Sequence, residues 1–268
     1  MSARFEIDAY APAEIAARVT TIGVVKARLP FTQMTLLGVL GGAFIALGAL
    51  YYALVTSDAS LAPSAARVLG GVVFSLGLVL VVVAGAELFT GNNLLVTAWA
   101  SRAISTRDLA RNWSIVYITN ALGAAGIAWL AVAAGLGTLD DDAVARHIVR
   151  IAEAKIALTF GQAFAAGILC NVLVCLGVWL AMAGRSVTDK IIAIVLPISA
   201  FVAAGFEQSV AKFFFFAMGW AYRDLAAVSI DAGGIIDNLV PVTLGNIVGG
   251  GLLVGSVYFL IYRPGNKQ

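Results

Sequence analysis

Three ionisable side chains, Glu87, Glu207 and Lys212, fall inside long apolar stretches of this 268-residue sequence. Facing lipid, each would cost roughly 2.5–3.5 kcal/mol. They must therefore face protein or water, which makes them the first candidates for chemistry. The glutamates close two similar tetrads, Ala84-Gly85-Ala86-Glu87 and Ala204-Gly205-Phe206-Glu207, offset by 120 residues. A carboxylate at such a break can accept hydrogen bonds from freed backbone N–H groups and fix the loop. A scaffold role is thus expected for Glu87 and Glu207. Lys212 follows Gln208 by four residues and shares its helix face. It could draw an anion to a pore-facing site or shuttle a proton; it could equally pair with a glutamate or snorkel to an interface. Both readings stay open. Enzyme chemistry fares badly, because no nucleophile–base–orienter set or metal-ligand cluster is visible. The single histidine, His147, sits beside Arg146 in an acidic loop and reads as a surface residue. Cys170 and Cys175 are five apart and read as small packing residues. No metal or cofactor is expected.

The elements that hold these residues must be membrane helices. The chain is 61% hydrophobic and 12% charged, against about 45–50% and about 25% in soluble domains. A net charge of +2 is too small to imply a nucleic-acid partner. Six apolar stretches, 31–54, 68–98, 113–136, 156–183, 191–222 and 238–262, each exceed the roughly 20 residues of a spanning helix. The expected architecture is an all-α membrane protein with a channel domain over 31–262. Residues 1–30 carry Ile15, Val19, Ile22 and Val25 near helical spacing, with Arg18 and Lys26 among them. They read as an amphipathic helix at the membrane face, or as a soluble lead-in. Residues 263–268 form a short tail. With both termini on one side, eleven lysines and arginines lie on that side and five on the other. This bias expects cytoplasmic termini and a multi-pass protein of the cell's inner or plasma membrane. Pro63 and Pro241 are expected near helix starts, and Pro197 as a kink in the fifth span.

The second and fifth stretches are far longer than one crossing requires, and the glycine–glutamate tetrads interrupt both. The third and sixth also match: Asn112 precedes Asn120 by eight residues, as Asn238 precedes Asn246. A duplication of three helices is expected, and an odd number inverts the second copy. Helices broken in a bilayer survive only in protein or along a polar cavity. Their N-terminal ends favour anions. Glycine-driven packing alone would not place a glutamate at each break.

Gly85-Ala86-Glu87-Leu88-Phe89-Thr90-Gly91-Asn92, the run from Asn238 to Gly250, the run from Cys170 to Trp179 and Gly184-Arg185-Ser186-Val187-Thr188-Asp189-Lys190 together resemble the formate/nitrite transporter family. The likeness covers about residues 10–262. It implies an aquaporin-like fold, a homopentamer in the lipid bilayer with a pore in each protomer, and passage of small monovalent anions such as formate, nitrite, hydrosulfide or short carboxylates. It further implies apolar constrictions at Phe74, Leu78, Leu88, Phe89, Val174 and Phe201, a central site with Thr90 and Asn171, and a vestibule lysine at Lys155. At the family's central histidine stands Gln208, and at the asparagine four residues on stands Lys212. Glutamine donates a hydrogen bond but does not titrate, which leaves proton coupling open. An aquaporin-like channel for small neutral solutes is the alternative; Lys155 and Lys212 favour an anion.

Overall fold

The computed structural model describes residues 9–225 and 230–262, and within these the regular secondary structure is all helical. Residues 1–8 and the 263–268 tail lie outside the described residues. The helices are α1 (Pro12–Ala27), α2 (Phe31–Thr56), α3 (Pro63–Gly85), α4 (Val96–Ala100), α5 (Thr106–Ala133), α6 (Leu139–Ile156), α7 (Phe160–Ala183), α8 (Val187–Ala203), α9 (Ser209–Ala221) and α10 (Ala232–Tyr262).

Local capping sets the helix starts. Ser105 Oγ accepts from the Asp108 N–H at 3.1 Å, and Asp108 accepts from the Ser105 N–H at 3.0 Å. That reciprocal box begins α5, ahead of the expected residue 113. The hydropathy reading missed the start because Arg107, Asp108 and Arg111 are polar. Thr159 with Gln162 opens α7, and Ser186 with Asp189 opens α8, in the same way. Asp231 Oδ1 caps α10 by accepting from the Gly234 N–H at 2.7 Å, six residues before the expected boundary. Pro63 sits in the first turn of α3. Pro241 instead lies inside α10, where the apolar run had suggested a start. Pro197 lies inside α8.

Five helices, α2, α3, α5, α7 and α10, are long and apolar enough to cross a membrane among the described residues. The expected fifth stretch, 191–222, is divided between α8 (17 residues) and α9 (13 residues). The expected second stretch, 68–98, is likewise divided. Helix α3 stops at Gly85, Ala86 is extended, and a 3₁₀ turn over Gly91–Leu95 leads into α4. Gly85 has φ of 92° and Gly205 φ of 73°. Each glycine takes the left-handed turn that a side chain would resist.

Tight helix crossings build the core around these interruptions. Gly41 and Gly42 of α2 leave room for the Glu87 carbonyl and the Asn120 backbone. Gly245 and Gly249 of α10 do the same for the backbone of α7 at Phe164 and Ile168. Small residues let helices approach in this way where lipid offers no hydrophobic drive. Helix α1 packs on the α4 region and α7 through Ile15, Val19, Gly23 and Ala27, each four residues on from the last. Ile15 and Val19 fall on the stripe expected of them, whereas Val25 is 60% exposed.

Candidate functional site

The interruption after α3 leaves backbone groups without helical partners, and α5 satisfies them. Asn120 Oδ1 accepts from the Phe89 N–H at 2.9 Å, while its Nδ2 donates to the Glu87 carbonyl at 2.9 Å and the Gly38 carbonyl at 2.7 Å. The interruption after α8 is treated identically. Asn246 Oδ1 accepts from the Ser209 N–H at 3.0 Å, and its Nδ2 donates to the Glu207 carbonyl at 2.9 Å and the Gly167 carbonyl at 2.8 Å. An amide carries donor and acceptor on one rigid group, which fits a loop presenting both. The spacing of the asparagines was visible in the sequence; their clamping role was not.

The glutamate side chains find partners other than the backbone N–H groups expected. Neither accepts from a loop amide: the Phe89 and Ser209 N–H groups go to the asparagines, and the Glu87 and Glu207 N–H groups donate to the Leu37 and Ala166 carbonyls. Each is buried and paired with lysine instead. Glu87 Oε1 lies 2.7 Å from Lys26 Nζ of α1, and Glu87 Oε2 accepts from Asn92 at 2.6 Å. Asn92 also donates to Asn112 at 2.9 Å, and Asn112 donates to the Lys26 carbonyl at 3.2 Å. Glu207 lies 3.0 Å from Lys155 Nζ of α6 and 2.6 Å from Lys212 Nζ. Lys212 also donates to Asn238, which donates to the Lys155 carbonyl. A buried carboxylate without a countercharge would be prohibitively costly, so these lysines hold the glutamates in place. Lys212 is fully buried in this pairing.

Two cavities, one lined by each interruption, share no lining residue. The first, of about 280 Å³, opens beside α1 and is lined by Lys26, Leu78, Glu87 and Leu88 among others. The second, of about 70 Å³, lies beside α6 and is lined by Phe74, Lys155, Phe201 and Gln208 among others. The Phe74 and Phe201 rings meet edge to face at 5.7 Å. Gln208 Nε2 donates to Thr90 Oγ1 at 3.2 Å, joining the two interruptions across 118 residues of sequence. Gln208 Oε1, buried beside the second cavity, has no hydrogen-bond partner.

The other expected residues sit further back. Asn171 Nδ2 donates to the Thr90 carbonyl at 3.2 Å, to Asn93 Oδ1 at 2.8 Å and to the Asn246 carbonyl at 2.7 Å, tying the halves together from behind. Phe89 lines neither cavity; its ring packs against Trp113 at 6.2 Å and Tyr117 at 4.8 Å. Val174 is wholly buried and lines neither cavity. Lys26 was not foreseen as a cavity residue. Its signal was present as a lone lysine in the last turn of an amphipathic helix.

The family model for formate/nitrite transporters matches residues 13–260. This chain belongs to the formate/nitrite transporter family. The formate channel FocA of Escherichia coli K12 is 39% identical over 284 residues, covering 100% of both chains. The formate channel BtFdhC of Bacillus thuringiensis is 39% identical, covering 95% of this chain and 96% of the relative. A solved structure described as a pentameric formate channel with formate bound superposes with a TM-score of 0.80 at 38% identity, covering 87% of this chain and 97% of that one. Membership in this family makes the chain a multi-pass membrane transport protein for small anions, and not an enzyme.

Proposed function

We propose that each protomer conducts formate or a similarly small weak-acid anion between the two cavities, through the contact of Thr90 with Gln208. That contact carries the reading. Two interrupted helices from distant parts of the chain meet there, with an apolar pair on each side: Leu78 and Leu88 toward the first cavity, Phe74 and Phe201 toward the second. The matched asparagine clamps and lysine–glutamate clusters support a three-plus-three inverted repeat whose second and fifth crossings are broken. The loop charges support cytoplasmic termini in an inner membrane. The pentameric relative supports a homopentamer.

The chemistry follows from the cost of desolvation. A bare anion does not cross apolar rings cheaply. Lys26 and Lys155 draw it into the cavities by charge. At the middle, the Gln208 amide and Thr90 hydroxyl replace lost water contacts. When the Gln208 amide turns its N–H groups to the anion, Oε1 can accept from the Thr90 hydroxyl. Neither group titrates near neutral pH, so the contact works as a fixed dipole and not as a proton donor. Asn171 and Asn246 hold the loops that carry it.

The test is stopped-flow uptake into proteoliposomes, with formate compared against glycerol. The expected outcome is saturable formate flux far above that of empty vesicles, with no glycerol flux. Glycerol flux equal to that of formate would favour the neutral-solute alternative.

A further inference from the structure

The clusters at the two cavities match member by member except at one position, and that exception has an electrostatic consequence. Lys26, Glu87, Asn92 and Asn112 stand in the first cluster where Lys155, Glu207, Lys212 and Asn238 stand in the second. Lys212 occupies the place of Asn92. Both donate to the neighbouring glutamate, each at 2.6 Å, and both donate to the following asparagine. They differ in what they return. Asn92 Oδ1 accepts from Lys26 at 3.0 Å, so Lys26 is held by a carboxylate and an amide oxygen. Lys212 has no acceptor to offer, so Lys155 has no counterpart to that bond. It is held by Glu207, with the Phe215 ring 5.7 Å away. The first cluster balances one lysine against one glutamate. The second sets two lysines against one glutamate.

We infer that Lys212 neutralises Glu207 from the buried side and so leaves the charge of Lys155 uncompensated, able to hold an anion at the α6-side cavity and making that mouth the anion-retaining one. The argument rests on the anion pathway proposed above. An excess positive charge beside a narrow apolar cavity concentrates anions there. The α1-side cavity, with its compensated lysine, exerts a weaker pull. Lys212 acts through Lys155 and is a positioning residue.

The test uses a blocker, because equilibrium block from one face reads the affinity of that mouth alone. Benzenesulfonate, confirmed as impermeant, is added to one face of the full-length protein in oriented vesicles while formate flux is recorded. Wild type should be half-blocked from the α6 face at a concentration roughly tenfold below that needed from the α1 face. Lys212→Asn should raise the α6-face value to about the α1-face value and leave the latter unchanged, whereas Lys212→Arg should keep the asymmetry. If Lys212→Asn fails to assemble, Asn92→Lys is the converse variant and should strengthen block from the α1 face. Equal block from both faces of wild type, no block from the α6 face, or an equal shift on both faces in Lys212→Asn would overturn the inference while the anion reading stands. A wild type that carries no formate would sink the anion reading first.

Discussion

At the scale of single residues, an amide and a carboxylate divide the work that the sequence seemed to give to the carboxylate alone. Asn120 and Asn246 each satisfy an N–H and a carbonyl at an interruption and donate to a further carbonyl of α2 or α7. Changing either to aspartate keeps the acceptor and removes the donor. Each buried carbonyl left without a partner costs about 1–3 kcal/mol, and the new buried charge adds to it. Asn120→Asp and Asn246→Asp should therefore lower the melting temperature in detergent, more than Asn92→Ala does. Unchanged melting of both would mean that the loops stand without the clamps. The clamps were half legible. Their eight-residue spacing from Asn112 and Asn238 showed in the chain, but a contact from Asn120 to Glu87 spans 33 residues and leaves no local pattern. The pairing of Lys26 with Glu87 was hidden for the same reason.

At the scale of elements, α1 and α6 play matching parts, each supplying one lysine to one buried glutamate. The duplication read from the sequence stopped at three helices because the two amphipathic segments share little beyond that lysine. The tetrads read from the sequence hold Gly85 and Gly205, where the backbone turns left-handed. Helix α6 also carries His147, expected at the surface but half-buried, with its Nε2 2.8 Å from Thr56 Oγ1. Burial, and then the nearby Arg150 charge, push its pKa below the usual histidine value. The unfolded chain therefore takes up this proton before the folded one does. The docking of α6 should be at full strength above the ordinary histidine pKa of about 6.5 and weaken as the pH falls below it. Hydrogen exchange over 143–156 should accelerate relative to α7 between pH 7 and pH 5, and His147→Gln should remove that acceleration. Protection that does not change with pH in wild type would contradict this assignment.

At the scale of the whole molecule, composition alone placed the chain in a membrane. The apolar stretches predicted the helices well where a single crossing fills the stretch, as in α2 and α7. They failed where polar caps extend a helix, as at Ser105 and Asp231, because capping residues lower hydropathy while they lengthen the helix. Large exposed side chains such as Trp129 and Leu196 cover the outer surface, which suits lipid and not water. The constrictions implied by the family likeness divide by position. Phe74, Leu78, Leu88 and Phe201 line the cavities, while Phe89 and Val174 are buried and line neither.

The central claim, that anions pass where Thr90 meets Gln208, is tested most directly by removing polarity there while keeping volume. Formate flux is measured in proteoliposomes for Thr90→Val and Gln208→Leu, each checked for intact assembly by size-exclusion chromatography. Loss of one buried polar side chain from the path should cut flux at least about tenfold in each variant. Flux equal to wild type in both correctly assembled variants would mean that the anion travels elsewhere.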